Sequence, residues 1–180
     1  MEESIRLGSY VVVKQRRLAE GGFGFVDLMM ESNMHKELVL KRCSVQRPED
    51  FEIVNKEVKM LNRFKTPRIV QLMSYQVIEK GTSREALLLM EYCSKGHLLD
   101  ALLDRNGQRF SIGEVCRMFG QCLLAVQDLH NARPHFVVHR DLKLENYLIR
   151  QDGSIVLCDF GSCVEGPVYA LTLLTPNPKP

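Results

Sequence analysis

Apolar and polar positions alternate in short stretches through the first half of the chain, and the period becomes helical after residue 93. Residues 10–19 open on Val11-Val12-Val13 and read as a strand. Gly21-Gly22-Phe23-Gly24 is a turn, and residues 25–30 resume the extended pattern, so the two segments make a hairpin. Leu38-Val39-Leu40 predicts a short buried strand ending in Lys41. Pro48 then opens a helix, because proline is tolerated in a first turn, and Glu49 and Asp50 are favourable near its positive end. Val54, Val58 and Leu61 recur at helical spacing, and Thr66-Pro67 closes the element. Residues 70–78 and 86–92 read as two further strands, joined by the polar turn 79–85.

Beyond Cys93 the pattern predicts a short helix over residues 98–103, closed by Asn106-Gly107. Ser111 and Glu114 have capping-box spacing, in which each side chain satisfies a free backbone donor of the other's residue. The helix they start, running to about His130, is apolar over most of its circumference, with Arg117, Gln121 and Asp128 as one narrow polar stripe. Such a helix needs neighbours on more than one side, and Phe119, Leu123 and Val126 are expected to stay in water if one side is left open. Its Cys116 and Cys122 read as core residues. Short strands follow near residues 136–138, 147–149 and 155–158, with Gln151-Asp152-Gly153 as a turn. The fold class is therefore α+β. A strand-rich lobe over residues 1–92 holds a five-stranded sheet and one helix, and a helix-led lobe covers residues 93–162. Residues 163–180 form a divergent tail that reads as disordered.

Composition narrows the function classes. The 180 residues are 45% hydrophobic and 26% charged, the balance of a soluble globular chain. A net charge of +2 is too small to argue for nucleic acid or an anionic membrane as partner. The longest apolar runs, such as residues 86–90, are about a quarter of a membrane span. Met1-Glu2-Glu3-Ser4-Ile5-Arg6 lacks the basic region and apolar core of a signal peptide. The six cysteines are accordingly expected to be reduced thiols in the cytoplasm, and the absence of any C-x-x-C pair argues against zinc.

Two groups of residues carry candidate chemistry. The glycine-rich turn is followed by Lys41 at a strand end and by Glu57 on the next helix. Phosphate oxygens need a fixed cation, and a flexible lysine needs an anion to hold it; Lys41 and Glu57 can supply that pair. The second group is His139-Arg140-Asp141-Leu142-Lys143-Leu144-Glu145-Asn146, then Asp159-Phe160-Gly161 after a short hairpin. Two carboxylates and an amide converge there, as Mg²⁺ bridging phosphates requires. Asp159 and Asn146 suit metal ligation, and Asp141 suits orienting a hydroxyl and accepting its proton.

These motifs resemble the protein kinase superfamily over residues 10–162. Within it the chain is most similar to the Numb-associated kinases, through Leu18-Ala19-Glu20-Gly21-Gly22-Phe23, Leu40-Lys41-Arg42, Met90 before a hinge ending in Cys93, and Leu157-Cys158-Asp159-Phe160-Gly161-Ser162. The resemblance implies a bilobal fold with a complete N-lobe and an incomplete C-lobe. It implies ATP and Mg²⁺ as cofactors and phosphoryl transfer to a serine or threonine of a protein substrate. Lys41 would hold ATP phosphates with Glu57, beneath a loop of Ala19, Glu20, Gly21, Gly22, Phe23, Gly24 and Val26. Val39 would lie against adenine, Met90 would be the gatekeeper, and Glu91 and Cys93 would offer backbone bonds. Lys143, two residues after the catalytic aspartate, is the serine/threonine pattern. Endocytic adaptor proteins enter as partners by this resemblance alone.

Three departures qualify it. Ala19 replaces the loop's first glycine, a change the Numb-associated kinases share. Val39 stands where kinases usually keep alanine, and its two extra methyls narrow an adenine pocket. After Ser162 the likeness ends, with no recognisable activation segment to meet Arg140. That loss points to a catalytically silent nucleotide-binding or interaction module, or an incomplete product of a longer kinase gene, as alternatives to a working enzyme.

Overall fold

Period-two alternation builds the N-terminal lobe. In the computed structural model, which describes residues 4–21, 24–81, 83–105 and 107–166, six antiparallel strands form one sheet. They are β1 (Ser4–Leu7), β2 (Tyr10–Gly21), β3 (Gly24–Glu31), β4 (Glu37–Ser44), β5 (Leu72–Lys80) and β6 (Ser83–Glu91). Their order is β1-β2-β3-β4-β6-β5, and helix α1 (Pro48–Arg63) lies between β4 and β5 in sequence. Successive side chains of a strand point to opposite faces. Leu38, Leu40, Leu87 and Leu89 thus pack on one face with Leu7, Val12 and Met29. Cys43, Ala86, Leu88 and Met90 pack on the other, in a core that also holds Val54, Met60 and Leu61 of α1. The same alternation sends Lys41 to the α1 face, because it follows Leu40.

The second lobe contributes α2 (Leu98–Leu103), α3 (Ile112–His130), β7 (Val137–Val138), β8 (Tyr147–Ile149), β9 (Ile155–Leu157) and β10 (Val164–Glu165). Two small two-stranded sheets form, β8 with β9 and β10 with β7. The capping box stands as the spacing requires: Ser111 N–H donates to Glu114 at 2.7 Å, and Glu114 N–H donates to the Ser111 hydroxyl at 3.2 Å. Val70 N–H donates to the Leu157 carbonyl and Leu157 N–H to the Arg68 carbonyl, so the two lobes are stitched by backbone bonds.

The structure departs from the sequence expectations in several places. The sheet has six strands rather than five, because Ser4–Leu7 pairs with residues 10–13. Four residues are too few for a periodic signal. The strands on either side of the expected 79–85 turn run inward to Lys80 and Ser83, since cross-strand bonding tolerates polar edge residues. Residues 163–166 do not belong to a disordered tail. Cys163 is buried, and Val164 and Glu165 pair with Val138 and Val137. The remaining tail, 167–180, lies outside the described residues, as do Asn106, Gly22 and Phe23.

Helix α3 is oriented against its composition. Gln121 and Asp128, expected on a polar stripe, point into the molecule. The Gln121 side-chain Oε1 accepts from Ile155 N–H, and the Asp128 carboxylate accepts from Arg68 Nε and Nη2 and from the Thr66 hydroxyl. Cys122, Ala125 and Leu129 share that inner face, whereas Cys116 is exposed rather than core. Phe119 and Leu123 lie in solvent as expected, but Val126 is half-buried. Here fixed hydrogen-bond partners outweigh the count of apolar residues. Among the described residues no helix is long and apolar enough to cross a membrane.

Candidate active site

Strands β2 and β3 pair as a hairpin as far as Gly21 and Gly24, with Ala19 opposite Val26, Glu20 opposite Phe25 and Gly21 opposite Gly24. Gly24 is obligatory: its φ is 135°, and a Cβ there would sit 1.9 Å from the Arg42 carbonyl oxygen. Arg17 braces the hairpin from outside. It donates to Asp27 at 3.0 Å and to Glu20 at 3.2 Å, and its guanidinium lies 3.8 Å from the Phe25 ring centroid. At this end of the hairpin is a recess of about 230 Å³ lined by Ala19, Glu20, Gly21, Gly24, Val26 and Lys41 among others.

Lys41 Nζ donates to both Glu57 oxygens at 2.8 Å, and Asp159 stands 3.8 Å away. The Glu57 side chain is only 4% exposed and that of Lys41 22%. Burial lowers the Lys41 pKa, but the charges of Glu57 and Asp159 outweigh it and raise the value above that of an ordinary lysine. Lys41 is therefore a fixed cation at neutral pH. An adjoining cleft of about 360 Å³ is lined by Lys41, Glu57, Asp141, Lys143, Asp159 and Gly161 among others.

Residues 139–146 fold around their own polar groups. His139 is buried, and its Nδ1 accepts the Asp141 N–H at 3.3 Å. The proton must then sit on Nε2, which donates to the Cys158 carbonyl at 3.0 Å. Burial pushes the imidazole below its usual value, so this neutral form persists. Asn146 Nδ2 donates to the Asp141 carbonyl at 2.7 Å and to the Asp141 carboxylate at 3.0 Å. Both amide hydrogens are thus engaged, and the Asn146 oxygen is the atom left for a ligand. Lys143 Nζ contacts Asp141 at 3.0 Å. Bonds from Lys143 first, then Asn146, hold the Asp141 carboxyl below its usual range. It is ionised at neutral pH and so able to accept a proton.

Two residues in this region carry left-handed backbone, Arg140 at φ 67° and Asp159 at φ 63°. Such conformations cost on the order of 1–3 kcal/mol and persist only where the surroundings enforce them. Arg140 is held by its Nε bond to the Ser162 carbonyl at 2.6 Å. Asp159 is held by its neighbour Phe160, fully buried, stacked on Phe64 with centroids 6.4 Å apart and meeting His139 edge-on at 5.2 Å. The turn throws the Asp159 carboxylate into the cleft while the ring anchors it.

The donor set fits Mg²⁺ with ATP. One carboxylate, Asp159, and one amide oxygen, Asn146, are hard ligands, and Mg²⁺ completes its shell with waters and substrate phosphates rather than an all-protein cage. Asp159 and Asn146 would hold the metal, and Lys41 a phosphate oxygen; the group supplies charge neutralisation at the transferred phosphoryl. At the hinge, Met90 pairs with Val39 on one side and Leu72 on the other, at the back of the sheet. The Glu91 N–H donates to the Gln71 carbonyl at 3.0 Å. Cys93 is 6% exposed, and its N–H has no hydrogen-bond partner among the described residues. Backbone donors are almost always paired, so this one is available to a ligand.

The protein kinase domain family matches residues 12–168. The chain belongs to the protein kinase domain family. The match extends six residues past Ser162, so the kinase likeness continues through β10 rather than ending after the Asp159-Phe160-Gly161 motif. A probable serine/threonine-protein kinase of Dictyostelium discoideum is 34% identical over 167 residues, 91% of this chain and 15% of that protein. Serine/threonine-protein kinase ppk30 of Schizosaccharomyces pombe is 37% identical over 171 residues, 93% of this chain and 18% of that protein. A second probable serine/threonine-protein kinase of Dictyostelium is 36% identical over 159 residues, 84% of this chain and 19% of that protein. The chain thus spans less than a fifth of the length of these relatives.

Of the expected site residues, the fold gathers Lys41, Glu57, Asp141, Lys143, Asn146 and Asp159 around one cleft. Ala19, Glu20, Gly21, Gly24 and Val26 line the adjoining recess, and Val39, Met90, Glu91 and Cys93 stand at the hinge end of the sheet. Gly22 and Phe23 fall outside the described residues. Sequence reasoning missed the buried His139 tautomer, the Phe160 anchor and Arg150, which reaches Glu91 from 59 residues away. No local spacing announces a contact at that separation.

Proposed function

We propose that this kinase domain binds Mg-ATP between its lobes and transfers the γ-phosphoryl group to a serine or threonine hydroxyl of a protein. The supporting observation is the separation of roles around one cleft: Lys41 fixed by Glu57, Asp159 turned inward, and Asp141 ionised and oriented by Lys143 and Asn146. Catalysis of this kind rests on positioning and charge stabilisation rather than covalent chemistry. Lys143 fits the serine/threonine preference that the relatives' names carry. The loop and hinge sequences resemble those of the Numb-associated kinases, and that resemblance supports a cytoplasmic location and makes endocytic adaptor proteins the first partners to examine. A thermal-shift titration tests the site. Mg-ATP at a hundred times its Kd stabilises a fold by about 2.7 kcal/mol, and Lys41→Ala and Asp159→Asn should lose most of that. Asp141→Asn should retain nucleotide binding while phosphoryl transfer falls. Equal stabilisation of wild type, Lys41→Ala and Asp159→Asn would refute the assignment.

A second reading, binding without turnover, is favoured by one feature. The outer face of α3 exposes Ile112, Val115, Phe119 and Leu123. Helix α3 packs on β7 and β9, which flank the loop of residues 139–146, and a partly uncovered helix holds that loop less firmly, whereas the reaction depends on positioning. Nucleotide binding with no phosphorylation of any serine/threonine peptide would select this reading.

A further inference from the structure

Arg150, the residue after β8, lies at the centre of a polar knot joining three segments of chain. Its Nε and Nη2 donate to the two Glu91 carboxylate oxygens at 2.7 Å each, and its Nη1 donates to the Pro67 carbonyl at 2.6 Å. Glu91 Oε1 also accepts the Gln71 N–H at 2.8 Å. Glu91 is the last residue of β6, Pro67 lies in the loop between α1 and β5, and Arg150 comes from the C-terminal lobe. The Arg150 and Glu91 side chains are 21% and 16% exposed. A planar fork with every nitrogen engaged and most solvent excluded is a geometric constraint, unlike a surface ion pair.

The chain on either side of this knot is also zipped to the C-terminal lobe. Lys95 N–H donates to the Ile149 carbonyl, Ile149 N–H donates to the Gly96 carbonyl, and the Ser94 hydroxyl donates to Gln151 at 2.7 Å. Between Glu91 and this zip stand only Tyr92 and Cys93, the latter with an N–H that has no hydrogen-bond partner among the described residues. Both ends of the hinge are therefore fixed to the β8–β9 hairpin, and Arg150 supplies the fixing at the β6 end.

We propose that Arg150 is a positioning residue of the nucleotide site: its fork on Glu91 and Pro67 holds the hinge so that the Cys93 amide meets the base of the nucleotide. The inference rests on the nucleotide-site reading above and adds to it a residue that touches no part of the ligand. Its consequence is selective. Lys41 and Asp159 hold the phosphate end through α1 and the Phe160 anchor, whereas the Arg150 side-chain bonds among the described residues go to Glu91, Pro67 and Ser154. Loss of the fork therefore weakens the base end alone.

The test is calorimetric titration of the full chain with adenosine and, separately, with Mg-tripolyphosphate. Arg150→Met removes the charge and the fork at similar length, and Arg150→Lys keeps the charge but cannot form the fork. Both variants should bind adenosine about tenfold more weakly, the scale of a slightly misplaced contact, with Mg-tripolyphosphate affinity within about twofold of wild type. Equal weakening of both ligands would mean that Arg150 only stabilises the fold, and unchanged adenosine affinity in both variants would mean that the hinge needs no such support. Either result overturns this inference while leaving the nucleotide site in place. Wild-type chain that binds tripolyphosphate but not adenosine overturns it as well. Wild-type chain that binds neither overturns the nucleotide-site reading together with this inference.

Discussion

Replacing Glu57 with alanine removes the only carboxylate within 3 Å of Lys41 among the described residues and leaves Asp159 at 3.8 Å as the remaining anion. Two unit charges 2.8 Å apart attract by about 6 kcal/mol at an effective dielectric of about 20. Much of that offsets the desolvation of both groups. The larger effect appears when one partner is deleted, because an orphaned buried charge costs about 3–5 kcal/mol. Lys41 can swing partway to Asp159, so Glu57→Ala should cost about 2–4 kcal/mol. Lys41→Met strands a carboxylate that is 4% exposed and should cost at least as much. The double variant Lys41→Met/Glu57→Ala strands neither charge. Its loss should fall short of the sum by about 2–3 kcal/mol, at the upper end for residues in direct contact. Urea unfolding of the four proteins measures this as a double-mutant cycle. A coupling below about 0.5 kcal/mol, the scatter expected of independent sites, would mean that the pair does not form in solution. The inward position of α1 would then be refuted too.

Other outcomes follow from burial and protonation. Phe160→Ala empties a fully buried ring site between Phe64 and His139 and should cost about 3–5 kcal/mol, whereas Phe119→Ala, at a ring 61% exposed, should cost less than about 1 kcal/mol in the same urea assay. A comparable loss at Phe119 would show that the outer face of α3 is covered in solution. The pH dependence follows from His139, whose folded pKa is depressed by burial below its ordinary value of 6.5. The unfolded chain binds this proton more readily, so the His139 contribution to stability is fully present above about pH 6.5 and shrinks as the pH falls below it. Unfolding curves at pH 7.5 and 5.5, compared with His139→Asn, isolate the effect. A wild-type minus variant difference that does not change with pH would remove the neutral, Nε2-protonated imidazole from the account.

Much of the site is written locally in the chain. The turn of Gly21 to Gly24, the Lys41 strand end, the capped helix from Ser111 and the run from His139 to Asn146 each signal themselves through neighbours a few residues apart. Backbone sterics and short-range hydrogen bonds decide these features, and period-two alternation even dictates which face of β4 carries Lys41. The tertiary structure alone decided the rest. Composition gives α3 an apolar girth and a polar stripe, yet Gln121 and Asp128 turn inward because Ile155 N–H, Thr66 and Arg68 wait there. Cys163 and Glu165 belong to the core and to β10 because β7 offers an edge to pair with, which no pattern within residues 163–166 reveals. Arg150 and Glu91 meet across 59 residues through the approach of two lobes. Contacts of that kind depend on where separate elements dock, and a sequence read through local periodicity carries no record of the docking.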